Sequence, residues 1–298
     1  MALRSVFREH LFTGRVAIVT GGGTGIGKAI ARELLSLDCN VVIASRKLDR
    51  LEQAAHELQA PYPKSNLPRV LVKACNIREE LEVQQLMQTT METYGKVDYL
   101  VNNGGGQFLS PASGIRKKGW HAVVETNLTG TFLCCREAYN AWMKDHGGAI
   151  VNIVANMWKG CPGMAHTGAA RAGVVNLTKT LAIEWASSGV RINSVAPGTI
   201  YSETAIANYK EYGEVLFNKA KAQSPAKRLG TPEEVSAAVC FLLSPAASYI
   251  TGETLKVDCA ESLYSTLWEI PDHNHLPASS TKESEGGKTS SGKLPAKL

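Results

Sequence analysis

The chain alternates between short, almost wholly apolar runs and longer amphipathic stretches. The apolar runs are Arg15–Thr20, Asn40–Ser45, Val70–Cys75, Asp98–Asn102, Ala149–Val154, Val190–Ala196 and Thr254–Val257. Between them lie Gly25–Ser36, Lys47–Leu58, Arg78–Tyr94, Leu128–Asp145, Thr167–Ser187 and Pro232–Leu243, which read as amphipathic helices. A strand covered by helices on both faces reads as a continuous apolar run rather than an alternation. Strands that alternate with helices join through right-handed crossovers into a parallel sheet. The pattern predicts an α/β fold, a single doubly wound parallel sheet of about seven strands with helices on both faces.

The same pattern sets the organisation. Residues 1–13 precede the first strand and form an N-terminal extension. Residues 14–263 carry every predicted element, with the stretch of about 199–230 expected as a loop over the site. Residues 264–298 turn to Pro, Ser, Thr, Gly, Lys and Glu, with almost no large apolar side chains after Leu276. Such a segment cannot bury enough surface to offset its ordering entropy, so a flexible tail is expected.

Composition narrows the classes. The 298 residues are 44% hydrophobic and 20% charged, which excludes a disordered or fibrous chain. No apolar run reaches the roughly 20 residues of a transmembrane helix. The net charge of +5 is mild, and no basic stripe interleaved with aromatics points to nucleic acid. The seven cysteines are odd in number and contain no C-x-x-C, so neither a disulfide framework nor a metal site is expected. The first twelve residues lack the apolar core of a secretory signal, although Arg4 and Arg8 leave a mitochondrial reading open.

Candidate chemistry begins after the first strand, at Thr20-Gly21-Gly22-Gly23-Thr24-Gly25-Ile26-Gly27. A glycine-rich loop between a strand and a helix is the context that dinucleotide binding requires. Gly21 permits the sharp turn, Gly25 lets backbone approach a pyrophosphate, and Gly27 lets the helix pack close to the sheet. The helix start then offers free N–H groups to the phosphates. At the end of the second strand stand Ser45, Arg46 and Lys47, with no acid to hold a ribose 2′-hydroxyl. Two cations and a hydroxyl suit a 2′-phosphate, so NADP(H) is the expected cofactor.

These residues resemble the short-chain dehydrogenase/reductases, whose T-G-x-x-x-G-x-G motif matches Thr20–Gly27. Asn102-Asn103-Gly104-Gly105 is similar to the family's N-N-A-G, Asn127 stands at its helix asparagine, and Pro197-Gly198 matches its P-G beside the nicotinamide. The resemblance covers about residues 14–262 and implies a Rossmann-like fold. It assigns Asn76 to the adenine, and Asn103, Gly104, Gly105, Pro197 and Gly198 to the cofactor. It also implies a homo-oligomer, dimer or tetramer, formed through the helices at 128–145 and 167–187.

The family reduces ketones with a serine, a tyrosine and a lysine. By register these positions hold Ala155, Thr167 and Arg171, and only Asn127 of the tetrad remains. A threonine hydroxyl is too weak an acid to protonate an alkoxide efficiently, and an arginine does not deprotonate. A double bond conjugated to a thioester asks less. Hydride goes to the β-carbon, and the site must only hold donors on the enolate oxygen. Thr167, with Asn127, is the expected donor, and Arg171 the group that fixes the nicotinamide ribose. Gly104–Pro111 and His166–Arg171 resemble the trans-2-enoyl-CoA reductases of peroxisomes, a branch of the family that uses NADPH. Reduction of 2,4-dienoyl-CoA or 3-oxoacyl-CoA, and NADP binding without turnover, remain alternatives.

Gln107, Phe108 and Tyr201 are the further candidates for substrate contact, Tyr201 being the nearest remaining phenol in loop sequence. The closing Ala296-Lys297-Leu298 is a variant of the S-K-L address, read by the peroxisomal import receptor. It adds the peroxisome as expected location.

Overall fold

The computed structural model describes residues 5–62, 69–209 and 212–264; the targeting tripeptide Ala296, Lys297 and Leu298 lies outside them. Its strands are β1 (Val16–Thr20), β2 (Asn40–Ser45), β3 (Val70–Ala74), β4 (Tyr99–Asn102), β5 (Gly148–Ile153), β6 (Val190–Pro197) and β7 (Thr254–Val257). They form one parallel sheet in the order β3-β2-β1-β4-β5-β6-β7. The order reverses between β1 and β4. In such a sheet ligands bind at that reversal, outside the carboxyl ends of the strands.

The continuous apolar runs are explained by two cores. Ala17 and Val19 of β1 enter one, with Ile30, Leu34 and Val239, while Ile18 enters the other, with Leu86, Met143 and Ile150. Alternate side chains of one strand thus feed opposite faces, and both faces are apolar. Phe12, inside the expected N-terminal extension, is fully buried and meets Tyr99 edge to face with ring centroids 5.3 Å apart.

The helices are α1 (Gly25–Ser36), α2 (Leu48–Gln59), α3 (Glu80–Tyr94), α4 (Lys117–Val124), α5 (Gly130–Ala138), α6 (Lys144–His146), α7 (Ala165–Glu184), α8 (Glu203–Asn208), α9 (Gly213–Gln223) and α10 (Pro232–Leu243). Two π turns, Glu125–Thr129 and Tyr139–Met143, bridge α4, α5 and α6. Helical structure therefore begins at Lys117, well before the expected Leu128. A π turn slips the 3.6-residue period, so the apolar pattern does not run through it. Gly119 inside α4 is a packing requirement, because a Cβ there would lie 2.8 Å from the Phe108 ring. The stretch expected as a loop over the site holds α8 and α9. Its ends are clipped together by Tyr201 N–H to Gly230 O (2.8 Å) and Gly230 N–H to Thr199 O (3.0 Å).

Candidate active site

The glycine loop lies at the reversal of strand order and is propped from β4. Gly21 has φ +66° and Gly25 φ +50°, the left-handed region that favours glycine. A Cβ on Gly27 would sit 2.3 Å from the Gly21 carbonyl oxygen. The Thr20 hydroxyl accepts the backbone N–H groups of Asn103 (3.1 Å) and Gly104 (2.9 Å). The Asn103 amide returns bonds to the carbonyls of Thr20 (3.1 Å) and Gly21 (3.3 Å). Thr20 and Asn103 thus hold the loop's shape. Thr24 is the N-cap of α1 but makes no side-chain cap bond, and the first turn carries no acid. The N–H groups of Gly25, Ile26 and Gly27 at this helix start therefore suit an anion. Gly23 packs on α2, where a Cβ would meet Leu51 at 3.4 Å.

Ser45 ends β2 half-buried, and Arg46 and Lys47 follow it exposed, with no ion pair among the described residues. Two unpaired cations beside a phosphate-shaped helix start fit a dinucleotide with an extra phosphate. Asn76 follows β3 half-buried. Its backbone N–H donates to Glu82 (2.7 Å), and its side-chain oxygen accepts from Arg78 N–H (3.4 Å).

Helix α7 brings the two substituted family positions to the crevice. Thr167, Arg171, Val174 and Thr178 share its buried face at i, i+4, i+7 and i+11. A polar row beneath the site fixes the helix in register. Asn102 donates to Asn152 (2.9 Å), Asn152 to Thr178 (2.9 Å), and Thr178 meets the Ser194 hydroxyl (2.8 Å). The row crosses β4, β5 and β6 at paired positions. Buried polar groups bonded to one another specify one arrangement where apolar packing would tolerate several.

Arg171, Asn127 and Gly105 converge. The Arg171 guanidinium is buried and donates to the Ile153 carbonyl (2.7 Å). Burial alone pushes its pKa down to about 10, and no carboxylate pairs with it among the described residues. Asn127, buried in the first π turn, exchanges both amide bonds with the backbone of Gly106, each 2.9 Å. Gly105 lies between the two groups, since a Cβ there would be 2.2 Å from Arg171 Nη2 and 3.0 Å from Asn127 Oδ1.

Thr167 is 2% exposed, and its hydroxyl has no hydrogen-bond partner among the described residues. A buried orphan hydroxyl costs about 1–3 kcal/mol unless something satisfies it. Its neighbour His166 is fully buried. Its Nδ1 accepts the Thr167 N–H (2.8 Å), its Nε2 has no partner among the described residues, and its ring meets Phe108 edge to face at 4.3 Å. Burial holds this imidazole below its ordinary pKa of 6.5. The folded state then resists protonation, so its stabilising contribution is present above pH 6.5 and is lost as pH falls through the folded value. Denaturation midpoints followed from pH 7.5 to 5 are expected to fall on acidification, with a His166 share of at most about 1.4 kcal/mol per pH unit. His166→Asn should remove that share.

At the mouth, the loop after β4 joins the loop after β5 through Ser110 N–H to Gly163 O (2.8 Å). Phe108, Leu109 and Trp158 remain 38%, 39% and 40% exposed there. Pro197 ends β6 buried. A Cβ on Gly198 would meet Glu261 Oε2 at 2.7 Å, and Glu261 in turn accepts the Thr199 N–H (3.0 Å). Tyr201 is 48% exposed at the start of the loop segment. The phenol that reaches the other site residues is Tyr209, which accepts a bond from the Gln107 side chain and directs its O–H at Met164 Sδ (3.9 Å). Sequence order does not reveal this partner, because the short α8 turns the chain between the two tyrosines.

The chain matches the family model for enoyl-(acyl carrier protein) reductase over residues 21–259. It is 38% identical over 256 residues to the peroxisomal 2,4-dienoyl-CoA reductase of Danio rerio, covering 85% of this chain and 83% of that protein. It is 36% identical to a probable 2,4-dienoyl-CoA reductase of Bacillus subtilis, covering 82% of this chain and 95% of that protein. A solved citronellol catabolism dehydrogenase from Pseudomonas aeruginosa is 44% identical, with TM-score 0.76 over 87% of this chain and 99% of that one. An actinorhodin polyketide ketoreductase solved with NADPH is 32% identical, with TM-score 0.78 over 84% of this chain and 98% of that one. The family match spans the glycine loop, both substituted positions and the last strand, and the solved relatives share the same sheet. The protein is an oxidoreductase that belongs to the short-chain dehydrogenase/reductase family.

Proposed function

We propose that the protein reduces trans-2-enoyl-CoA to saturated acyl-CoA with NADPH, in the peroxisome. The observation that carries this reading is the buried, unpartnered Thr167 hydroxyl one helical turn from Arg171, where a ketoreductase keeps its tyrosine and lysine. A ketone needs an acid of tuned pKa at that point. A thioester enolate needs a donor on its oxygen, which Thr167 supplies without giving up its proton.

When bound, the nicotinamide cofactor supplies the hydride. Gly21–Gly27 would hold its pyrophosphate, Ser45, Arg46 and Lys47 its 2′-phosphate, and Asn76 its adenine. Arg171 would hold the ribose, with Gly105 leaving room for the guanidinium. The exposed Phe108, Leu109 and Trp158 offer an apolar wall for an acyl chain. The names of the Danio rerio and rat relatives support a CoA thioester and a peroxisomal setting. The same names favour 2,4-dienoyl-CoA as a second reading. Association into a homo-oligomer through residues 128–145, which hold α5, and 167–187, which hold most of α7, belongs to the proposal.

The test follows NADPH absorbance with trans-2-enoyl-CoA, 2,4-dienoyl-CoA and 3-oxoacyl-CoA offered separately, and repeats the best substrate with NADH. Turnover mainly with the enoyl substrate and NADPH is expected. Preference for the dienoyl substrate would move the assignment to the second reading. Preference for the oxo substrate would overturn the chemical reading of Thr167, and tight NADPH binding with no turnover would make the protein a non-catalytic binder.

A further inference from the structure

We infer that Tyr209 is the acid that delivers the α-carbon proton in this reduction, with Gln107 as its positioning residue. The inference rests on the acyl-thioester reading above. Reduction of the conjugated double bond leaves a demand that neither Thr167 nor Arg171 meets. Once the β-carbon has taken the hydride, the former double-bond electron pair is spread over the α-carbon and the thioester oxygen. One proton must then form the α-carbon–hydrogen bond.

Few groups near the mouth can give a proton. Arg171 is tied to the Ile153 carbonyl (2.7 Å) and, in the proposed function, to the ribose. Thr167, by its place, is occupied with the enolate oxygen. The Cys161 thiol lies beside Gly168 and is directed at the Asn156 carbonyl (3.9 Å). Tyr209 stands apart. It follows α8 directly, and its ring packs against Phe217 of α9 with centroids 6.2 Å apart. The Gln107 side chain donates to its oxygen from the loop after β4, 102 residues away in sequence. That bond occupies a lone pair and turns the phenol hydrogen toward Met164. Met164 is the N-cap of α7, and its carbonyl accepts the N–H groups of Thr167 (3.0 Å) and Gly168 (3.1 Å). The phenol hydrogen is thus directed at the side chain of the residue that caps α7, three residues before Thr167.

The chemistry fits. Burial holds the phenol above its ordinary pKa of 10, so it is protonated at neutral pH. An enolate is far more basic than a phenolate, and transfer runs downhill. The phenol O–H breaks, the α-carbon–hydrogen bond forms, and the phenolate takes its proton back from water at the half-open mouth. The Gln107 bond favours the phenolate while it lasts.

Tyr209→Phe keeps the ring and removes the acid. With trans-2-enoyl-CoA, kcat is expected to fall about 10²- to 10⁴-fold while KM and NADPH affinity hold. The decisive readout is the product made in D2O. The wild type should place deuterium on one face of the α-carbon, and Tyr209→Phe should scatter it over both faces as water takes over. Gln107→Leu should lower kcat by less and keep the single face. Unchanged kcat with a single labelled face in Tyr209→Phe would overturn the inference alone. A wild type that reduces no CoA thioester would overturn both it and the proposed function, and that result is visible before any variant is made.

Discussion

Arg171→Met is expected to make the protein more stable and nearly inactive. The guanidinium is buried without a carboxylate, and its only polar bond among the described residues is to the Ile153 carbonyl. A pKa of about 10 means that keeping it charged there costs about 3 kcal/mol relative to water. Because the folded value lies below the ordinary 12.5, that cost is present in full at neutral pH and fades only above about pH 10. Methionine fills similar space without charge. It leaves the Ile153 carbonyl unbonded, at about 1–3 kcal/mol. The balance is a modest gain, read as a thermal midpoint raised by a few degrees. Turnover is expected to fall about 10²- to 10³-fold, the scale for losing one preorganised donor, together with NADPH affinity. A variant less stable than wild type, or with full NADPH affinity, would show that Arg171 supports the fold rather than the cofactor.

Gly105→Ala is expected to cut turnover about a hundredfold with little effect on folding, since displacements near 1 Å in a site cost that much. The new methyl would lie 2.2 Å from Arg171 Nη2, so the guanidinium has to leave its place. Gly106 is the control, because nothing lies within 4 Å of a Cβ there. Alanine at Gly106 should leave turnover within a few-fold. The double variant Gly105→Ala/Arg171→Met should be no worse than Arg171→Met alone, because both act on one contact. Additive losses in that cycle would separate Gly105 from Arg171.

The order of elements, the two-faced sheet and the glycine loop could be read from the chain because each rests on local patterning. Strands with both faces buried must be apolar throughout, and a strand-to-helix turn against phosphates must be glycine-rich. The register that the resemblance gives Thr167 and Arg171 is local too, since four residues on a helix are about one turn. Helix α4 escaped this reading because the π turn at Glu125–Thr129 breaks the period that reveals a helix.

Local patterning in the chain carries the parallel sheet, the glycine loop after β1 and the basic end of β2, and the family resemblance carries the reading of Thr167 and Arg171. Which groups meet depends on packing across the whole fold. Gly105 has to be glycine because Arg171, 66 positions later, is folded back onto it. Tyr209 is joined to the loop after β4 because the Gln107 side chain, 102 residues earlier, donates to its phenol oxygen. Such contacts join residues far apart in sequence, and no local periodicity encodes them. They exist only once the buried polar row Asn102–Asn152–Thr178–Ser194 has set α7 at one height on the sheet.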